Sequence, residues 1–143
     1  MYDSNNPNIA TLNKVYQNSR TAIEAIDCLI PKVKDTGLKQ AMASQILGHH
    51  NLLKCSAAKL HEVHHYPIEP NLLNAAASMR FKSVIDSSDG HIAEMLIENS
   101  TSSMIDIQRN LNQHSHLTQE VSNIGGEAVS FEQTNINKMR AYL

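Results

Sequence analysis

Apolar residues recur at alternating steps of three and four along four stretches of the chain, which is the spacing of an amphipathic helix. The predicted helices span Ile9–Val33, Leu38–His65, Gly90–Gln113 and Leu117–Leu143. Each contains about 24–28 residues and is about 40 Å long. Because helices of matched length can bury one shared core along their whole length, the pattern predicts an all-α four-helix bundle.

The gap between the second and third predicted helices, residues 66–89, is much longer than a tight turn needs. It is long enough to carry the chain back along the bundle, as the crossover of a ferritin-like fold does. A short helix can form over Asn71–Val84. The alternative, one helix from Asn71 to Gln113, would be about 64 Å long and would overhang its partners by about 25 Å. We therefore expect a ferritin-like bundle with a long crossover between the second and third helices.

Length and composition indicate a single domain over residues 1–143. The Asn-rich residues 1–8 are expected to be a disordered lead. The chain contains two Phe, four Tyr and no Trp, so its core must be built from aliphatic side chains, Met and Ala. Five Gly and four Pro in the whole chain argue against many short strands joined by turns.

Charge and hydropathy exclude several kinds of partner. With 12 basic and 14 acidic residues and a net charge of −2, the chain has no field that favours nucleic acid or an anionic membrane. No apolar run approaches the roughly 20 residues of a membrane span. The N-terminal sequence MYDSNNPN lacks the features of a secretory signal. We therefore expect a cytoplasmic protein that binds neither nucleic acid nor a membrane.

The centre of the predicted bundle is polar but poor in metal ligands. Di-metal sites in ferritin-like bundles take one Glu from each of two helices and a Glu-x-x-His pair from each of the other two. No Glu-x-x-His occurs near the midpoint of any predicted helix. The inward-facing or flanking polar residues near the helix midpoints are Ser19, Gln45, His49, Ser100, Glu132 and Asn135. His49 and Glu132 are the candidate metal ligands, but one imidazole and one carboxylate cannot hold two ions.

Three further carboxylates have the wrong helical phase for a central site. At about 100° per residue, Glu24 lies about 140° from the centre of its helix's apolar stripe, and Glu94 and Glu98 are comparably displaced. Without them, His49 is explained as a core histidine that hydrogen-bonds polar neighbours, because a buried imidazole needs partners. Binding of a small molecule in this polar layer is a further alternative.

The stretch His61-Glu62-Val63-His64-His65 matches the HExxH pattern, in which two histidines bind zinc and the Glu acts as a base. Here it ends a helix two residues before Pro67, where histidines also suit the negative end of the helix dipole. We therefore expect at most a surface metal contact through His61 and His65, rather than a zinc protease.

Three segments carry a resemblance to a known group of proteins. They are HIAEMLIENST (91–101), AIDCLIPKVKD (25–35) and INKMRAYL (136–143). Together they resemble small ferritin-like four-helix-bundle proteins of anaerobic spore-forming bacteria, a group to which no activity is assigned. The resemblance implies a ferritin-like bundle, but it implies no reaction.

The sequence therefore favours a non-enzymatic interaction or structural protein with no cofactor, acting through self-association or another protein. The alternative is a metal-binding ferritin-like protein with an incomplete or unusual di-metal site. That site would hold iron or another divalent ion at His49 and Glu132.

Overall fold

The computed structural model describes residues 5–73 and 86–143. These residues form four long helices, which are α1 (Pro7–Leu29), α2 (Thr36–Glu62), α3 (Asp89–Gln113) and α4 (Gln119–Met139). The closest packing is within the pairs α1–α2 and α3–α4, and α4 also contacts both α1 and α2. Within the described ranges there is no strand and no helix that is long and apolar enough to cross a membrane. The predicted all-α four-helix bundle is confirmed.

The first helix begins and ends close to where the sequence predicts. Its N-cap is Asn6, whose side chain accepts a hydrogen bond from the Asn8 amide, and Pro7 occupies the first turn. The last two residues of the predicted disordered lead are therefore helical, and residues 1–4 lie outside the described residues. Pro31 ends α1, because proline has no amide hydrogen for a further helical hydrogen bond, and the chain continues after Leu29 as a short 3₁₀ turn.

The second helix differs from the prediction at both ends. It begins at Thr36 rather than Leu38, because the Asp35 carboxylate accepts a hydrogen bond from the Leu38 amide and caps the first turn. It ends at Glu62 rather than His65, because His64 takes a left-handed backbone conformation with φ of 60°.

The third helix begins at Asp89, where Ser88 is extended and its hydroxyl accepts a hydrogen bond from the His91 amide. One continuous helix from residue 71 to 113 is therefore excluded, and the crossover is confirmed. The Asp89 carboxylate also accepts hydrogen bonds from the amides of Lys34 and Asp35, at 2.9 Å each. Most of the short helix expected over 71–84 lies outside the described residues.

The beginning of the crossover is fastened to α1. The Ile68 amide donates to the Asn13 side chain at 2.9 Å, and the Gln17 side chain donates to the Ile68 carbonyl at 3.1 Å. The Glu69 carboxylate accepts from the Tyr16 hydroxyl and lies 3.2 Å from Nε of Arg20. These contacts fix the direction in which residues 68 and 69 leave the end of α2.

The core consists of three apolar clusters stacked along the bundle. One lies at the α1–α2 turn and contains Ile26, Leu38, Met42, Leu96 and Met139 among others. The other two occupy the middle and the opposite end, and include Val15, Leu52, Ile107, Leu12 and Leu60. A layer of buried polar side chains lies between the first cluster and the middle one. This layer is the candidate site.

Of the two adjacent glycines of α4, Gly125 and Gly126, the first allows close packing between helices. A Cβ on Gly125 would lie 2.7 Å from Cδ2 of Leu111, whereas a Cβ on Gly126 would meet nothing within 4 Å. Leu111 therefore packs directly against the backbone of α4 at Gly125.

Candidate functional site

All four helices contribute to the buried polar layer in the bundle. Each member is a residue that is less than one tenth exposed and carries a hydroxyl, amide, imidazole or carboxyl group. They are Ser19 of α1, Gln45 and His49 of α2, Ser100 and Ser103 of α3, and Glu132 and Asn135 of α4. Sequence reasoning found six of these seven residues and missed Ser103. The spacing of three from Ser100 places both serines on one face of α3, and this signal could have found it.

His49 and Glu132 face each other across the layer. Nε2 of His49 lies 3.7 Å from Oε1 of Glu132, and Nδ1 lies 3.4 Å from the Ser19 hydroxyl. The ring of Phe131 meets the imidazole edge-on, with the ring centres 4.9 Å apart. Phe131 also packs over Gly48, where a Cβ would lie 2.3 Å from the ring. These contacts hold the imidazole in one position.

Burial shifts the pKa values of Glu132 and His49 in opposite directions. Burial raises the pKa of Glu132 to about 7, although the nearby polar side chains of Ser100, Ser103 and Asn135 oppose that rise. Burial, together with the neighbouring His50, lowers the pKa of His49 to about 4. In both cases the low-dielectric interior disfavours the charged form. At neutral pH the imidazole is therefore uncharged, and the Glu132 carboxyl is near its midpoint.

Several polar atoms of the layer have no hydrogen-bond partner within the protein. Buried amide, hydroxyl and carboxyl groups are normally paired, so each exception requires an explanation. The four atoms are Gln45 Nε2, Ser103 Oγ, Glu132 Oε2 and Asn135 Nδ2. Among the described residues one other buried side-chain atom, Asn13 Nδ2, lacks a partner, so the layer holds four of five such atoms and is the main incompletely satisfied polar region.

The other carboxylates considered from the sequence do not reach this layer. Glu94 and Glu98 are exposed, and Glu24 is half-buried beside a surface groove that also contains Arg20 and Glu69. Among the described residues, no group of three or more His, Cys, Asp or Glu side chains could hold a metal ion. The sequence of residues 74–85, NAAASMRFKSVI, contains none of these four residue types.

The histidines of the HExxH stretch do not share one helical face. His61 lies in the last turn of α2 with its ring edge-on to Tyr66, at 5.2 Å between ring centres, whereas His65 follows the end of the helix. The i, i+4 pair on a helix that a zinc protease requires is therefore not formed. A surface metal contact through His61 and His65 stays a prediction.

Both cysteines are free, with Cys28 half-buried and Cys55 exposed. They lie in different helices, α1 and α2, and neither belongs to the polar layer.

Comparisons with known proteins bear on the fold. No protein-family model matches this chain, and no curated protein sequence matches it. Among solved structures, the chain is similar to the bacterioferritin-related protein from Bacteroides fragilis, characterised as a dodecameric thioferritin. The TM-score is 0.76 at 10% sequence identity, and the match covers 94% of this chain and 83% of that chain. The likeness establishes a ferritin-like fold.

A di-metal centre is the group that a ferritin-like fold suggests, and the side chains of this layer do not fit it. Such a centre uses four carboxylates and two imidazoles, whereas the layer provides the carboxylate of Glu132 and the imidazole of His49. The remaining members carry neutral hydroxyl and amide groups, which are weak ligands for two divalent ions.

Proposed function

We propose that this chain is a non-enzymatic, cytoplasmic, ferritin-like bundle that acts by self-association or by binding another protein. The observation that carries the proposal is the layer at the centre of the bundle, which contains one carboxylate and one imidazole and no further strong metal ligand. Function is therefore assigned to the outer surface. The dodecameric assembly of the Bacteroides fragilis protein supports self-association of a chain with this fold.

Large apolar side chains are exposed where α2 passes into the crossover. Val63 is 52% exposed, Tyr66 78%, Ile68 42% and Leu73 82%. We call these four side chains the crossover surface. The hydrogen bonds that fasten Ile68 to α1 keep this segment ordered although its apolar groups face outward. Several large apolar side chains exposed within eleven residues indicate a contact surface, and a second copy of the chain is the proposed occupant.

The oligomeric state tests this surface. Light scattering coupled to gel filtration should show an assembly for the wild type and a monomer for the double variant Tyr66→Ser, Leu73→Ser. The change removes apolar area from the contact, and each kcal/mol or so that is lost lowers the association constant several-fold. Leu47→Ser is the matched control, because Leu47 is 66% exposed on α2 outside the crossover surface. A monomeric wild type, or an unchanged mass in the double variant, would contradict self-association through the crossover surface.

A second candidate function is favoured by the His49–Glu132 contact. Nε2 and Oε1 are 3.7 Å apart and Oε2 of Glu132 has no protein partner, so these two groups could hold iron or another divalent ion in an unusual site. This candidate also agrees with the resemblance to ferritin-like proteins of anaerobic spore-forming bacteria. It requires further ligands from solvent or from a second chain, because the layer supplies two strong ones.

Metal analysis of protein purified without a histidine tag separates the two candidates. For the non-enzymatic bundle we expect less than about one tenth of an equivalent of iron, manganese or zinc, since a divalent ion with two protein ligands dissociates readily. A near-stoichiometric metal content that is lost in both Glu132→Gln and His49→Gln would favour the metal-binding candidate. Loss only in the double variant His61→Ala, His65→Ala would place the metal on the surface.

A further inference from the structure

A groove of about 700 Å³ lies between α1 and α3. Its lining contains two apolar residues, Ile97 and Ile105, three charged residues, Glu98, Asp106 and Arg109, and six residues with hydroxyl or amide groups. These six are Asn18, Thr21, Asn99, Thr101, Ser102 and Ser103. Of these, Ser103 also belongs to the buried polar layer, so the groove and the layer adjoin at this side chain.

Ser103 is the side chain that separates the groove from the layer. It is 9% exposed, and its hydroxyl oxygen is buried without a protein partner. On the inner side it lies close to the Glu132 carboxyl without a hydrogen bond of ordinary geometry, and its hydroxyl dipole opposes the rise in the carboxyl pKa. A movement of this small side chain would join the layer to solvent, because serine needs only a rotation about one bond to move its hydroxyl.

The polar atoms of the layer that lack hydrogen bonds determine which kind of molecule the layer can bind. The side-chain amide groups of Gln45 and Asn135 are donors, and Oε2 of Glu132 can accept when the carboxyl is ionised. A cation would meet N–H groups rather than oxygens at two of these positions. A molecule that both accepts and donates hydrogen bonds satisfies all of them, and a buried water commonly makes about three such bonds.

We propose that the polar layer binds water, or a neutral hydrogen-bonding molecule of the same size, which exchanges with solvent through the α1–α3 groove past Ser103. This site is independent of the crossover surface. The exchange also gives the His49–Glu132 pair a path for protons, so the pair responds to the pH outside the bundle.

Nuclear magnetic resonance tests the occupant directly. In ¹⁵N-labelled protein, we expect Overhauser contacts between water and the side-chain amide protons of Gln45 and Asn135, with signs that indicate long-lived water. Absence of these contacts in the wild type would show a dry layer and overturn the proposal. Selective broadening of the same signals by added Mn²⁺ would show a cation site, and would overturn it as well.

Relaxation dispersion of the deuterium nuclei of solvent water measures the residence time of buried water and so tests the route past Ser103. Ser103→Val should lengthen the residence time of the buried water by about tenfold, the effect of about 1.4 kcal/mol on the barrier. Ser102→Val is the matched control, since Ser102 is exposed in the same groove and should leave the residence time unchanged. If Ser103→Val fails to fold, Ser103→Ala should shorten the residence time instead. If neither Ser103 variant changes the residence time as expected, water does not exchange past Ser103 and the proposed route is wrong.

Discussion

Glu132→Gln and His49→Gln should give proteins whose stabilities change with pH in opposite directions, whereas the pair in the wild type should contribute almost no pH dependence. This result follows from the opposite displacements of the two pKa values. Glu132 rises from 4.5 to about 7, and His49 falls from 6.5 to about 4.

The raised pKa of Glu132 determines the direction in which this residue makes stability change with pH. Between pH 4.5 and about 7 the folded protein holds a proton on Glu132 that the unfolded chain has released, so stability falls as pH rises through this range. In His49→Gln this effect is no longer compensated. We expect its free energy of unfolding to fall by about 3 kcal/mol relative to the wild type between about pH 4 and 6.5, the range over which the wild-type imidazole compensates.

His49 makes stability change with pH in the opposite direction, because its pKa is lowered. Between about pH 4 and 6.5 the unfolded chain holds a proton on His49 that the folded protein does not, so stability rises with pH. Glu132→Gln should therefore gain about 3 kcal/mol relative to the wild type as pH rises from 4.5 to about 7, the range over which the wild-type carboxyl opposes this rise. In the wild type the folded and unfolded pairs each hold one proton between about pH 4.5 and 6.5, and the two slopes cancel.

Urea denaturation at several pH values between 4 and 8 measures this effect. The difference between each variant and the wild type removes the pH dependence of all other groups. Glutamine is the appropriate replacement because it keeps a similar size and hydrogen-bonding capacity but does not titrate. Differences that stay constant across the range would show that burial does not shift the pKa values of these two groups.

Gly48→Ala is expected to destabilise the protein by up to about 2 kcal/mol, although alanine is the better helix former. The new Cβ would lie 2.3 Å from Cε2 and Cζ of Phe131, whereas carbon atoms in contact are normally about 3.5–4.0 Å apart. The ring must therefore move by more than about 1 Å, and overpacking of this kind costs about 1–3 kcal/mol. The gain of about 1 kcal/mol in helix propensity offsets part of that cost.

Two comparisons isolate the contact with Phe131. Gly126→Ala should stabilise the protein by about 1 kcal/mol, because nothing lies within 4 Å of its new Cβ. In a Phe131→Ala background, Gly48→Ala should become stabilising as well, since the ring that it meets has been removed. Thermal and urea unfolding of the four combinations give the coupling energy. Equal effects of Gly48→Ala in both backgrounds would show that the ring is not packed on Gly48.

The architecture could be read from the sequence because it depends on local periodicity. The repeat of three and four residues gave the helices, and the length of the gap after residue 65 gave the crossover. Helical phase also predicted that Glu94 and Glu98 would face outward, and both are exposed. The helix ends were less accurate, because the cap at Asp35 and the left-handed His64 are local alternatives that periodicity does not distinguish.

The site was predictable in composition but not in its interactions. Sequence phase identified His49 and Glu132 as inward or flanking residues, but the 3.7 Å between them depends on how α2 and α4 are aligned. The packing of Phe131 over Gly48 depends on the same alignment. No pattern within one helix specifies the axial position of another.

The sequence by itself determined that four helices bury a shared core and that the centre of this core is short of carboxylates, because both follow from the order of residue types along each helix. Only the tertiary structure decided that the imidazole and the carboxyl meet, that Ser103 separates them from a groove, and that their pKa values move apart. These properties arise from desolvation and from contacts between helices, which exist only once the helices have packed.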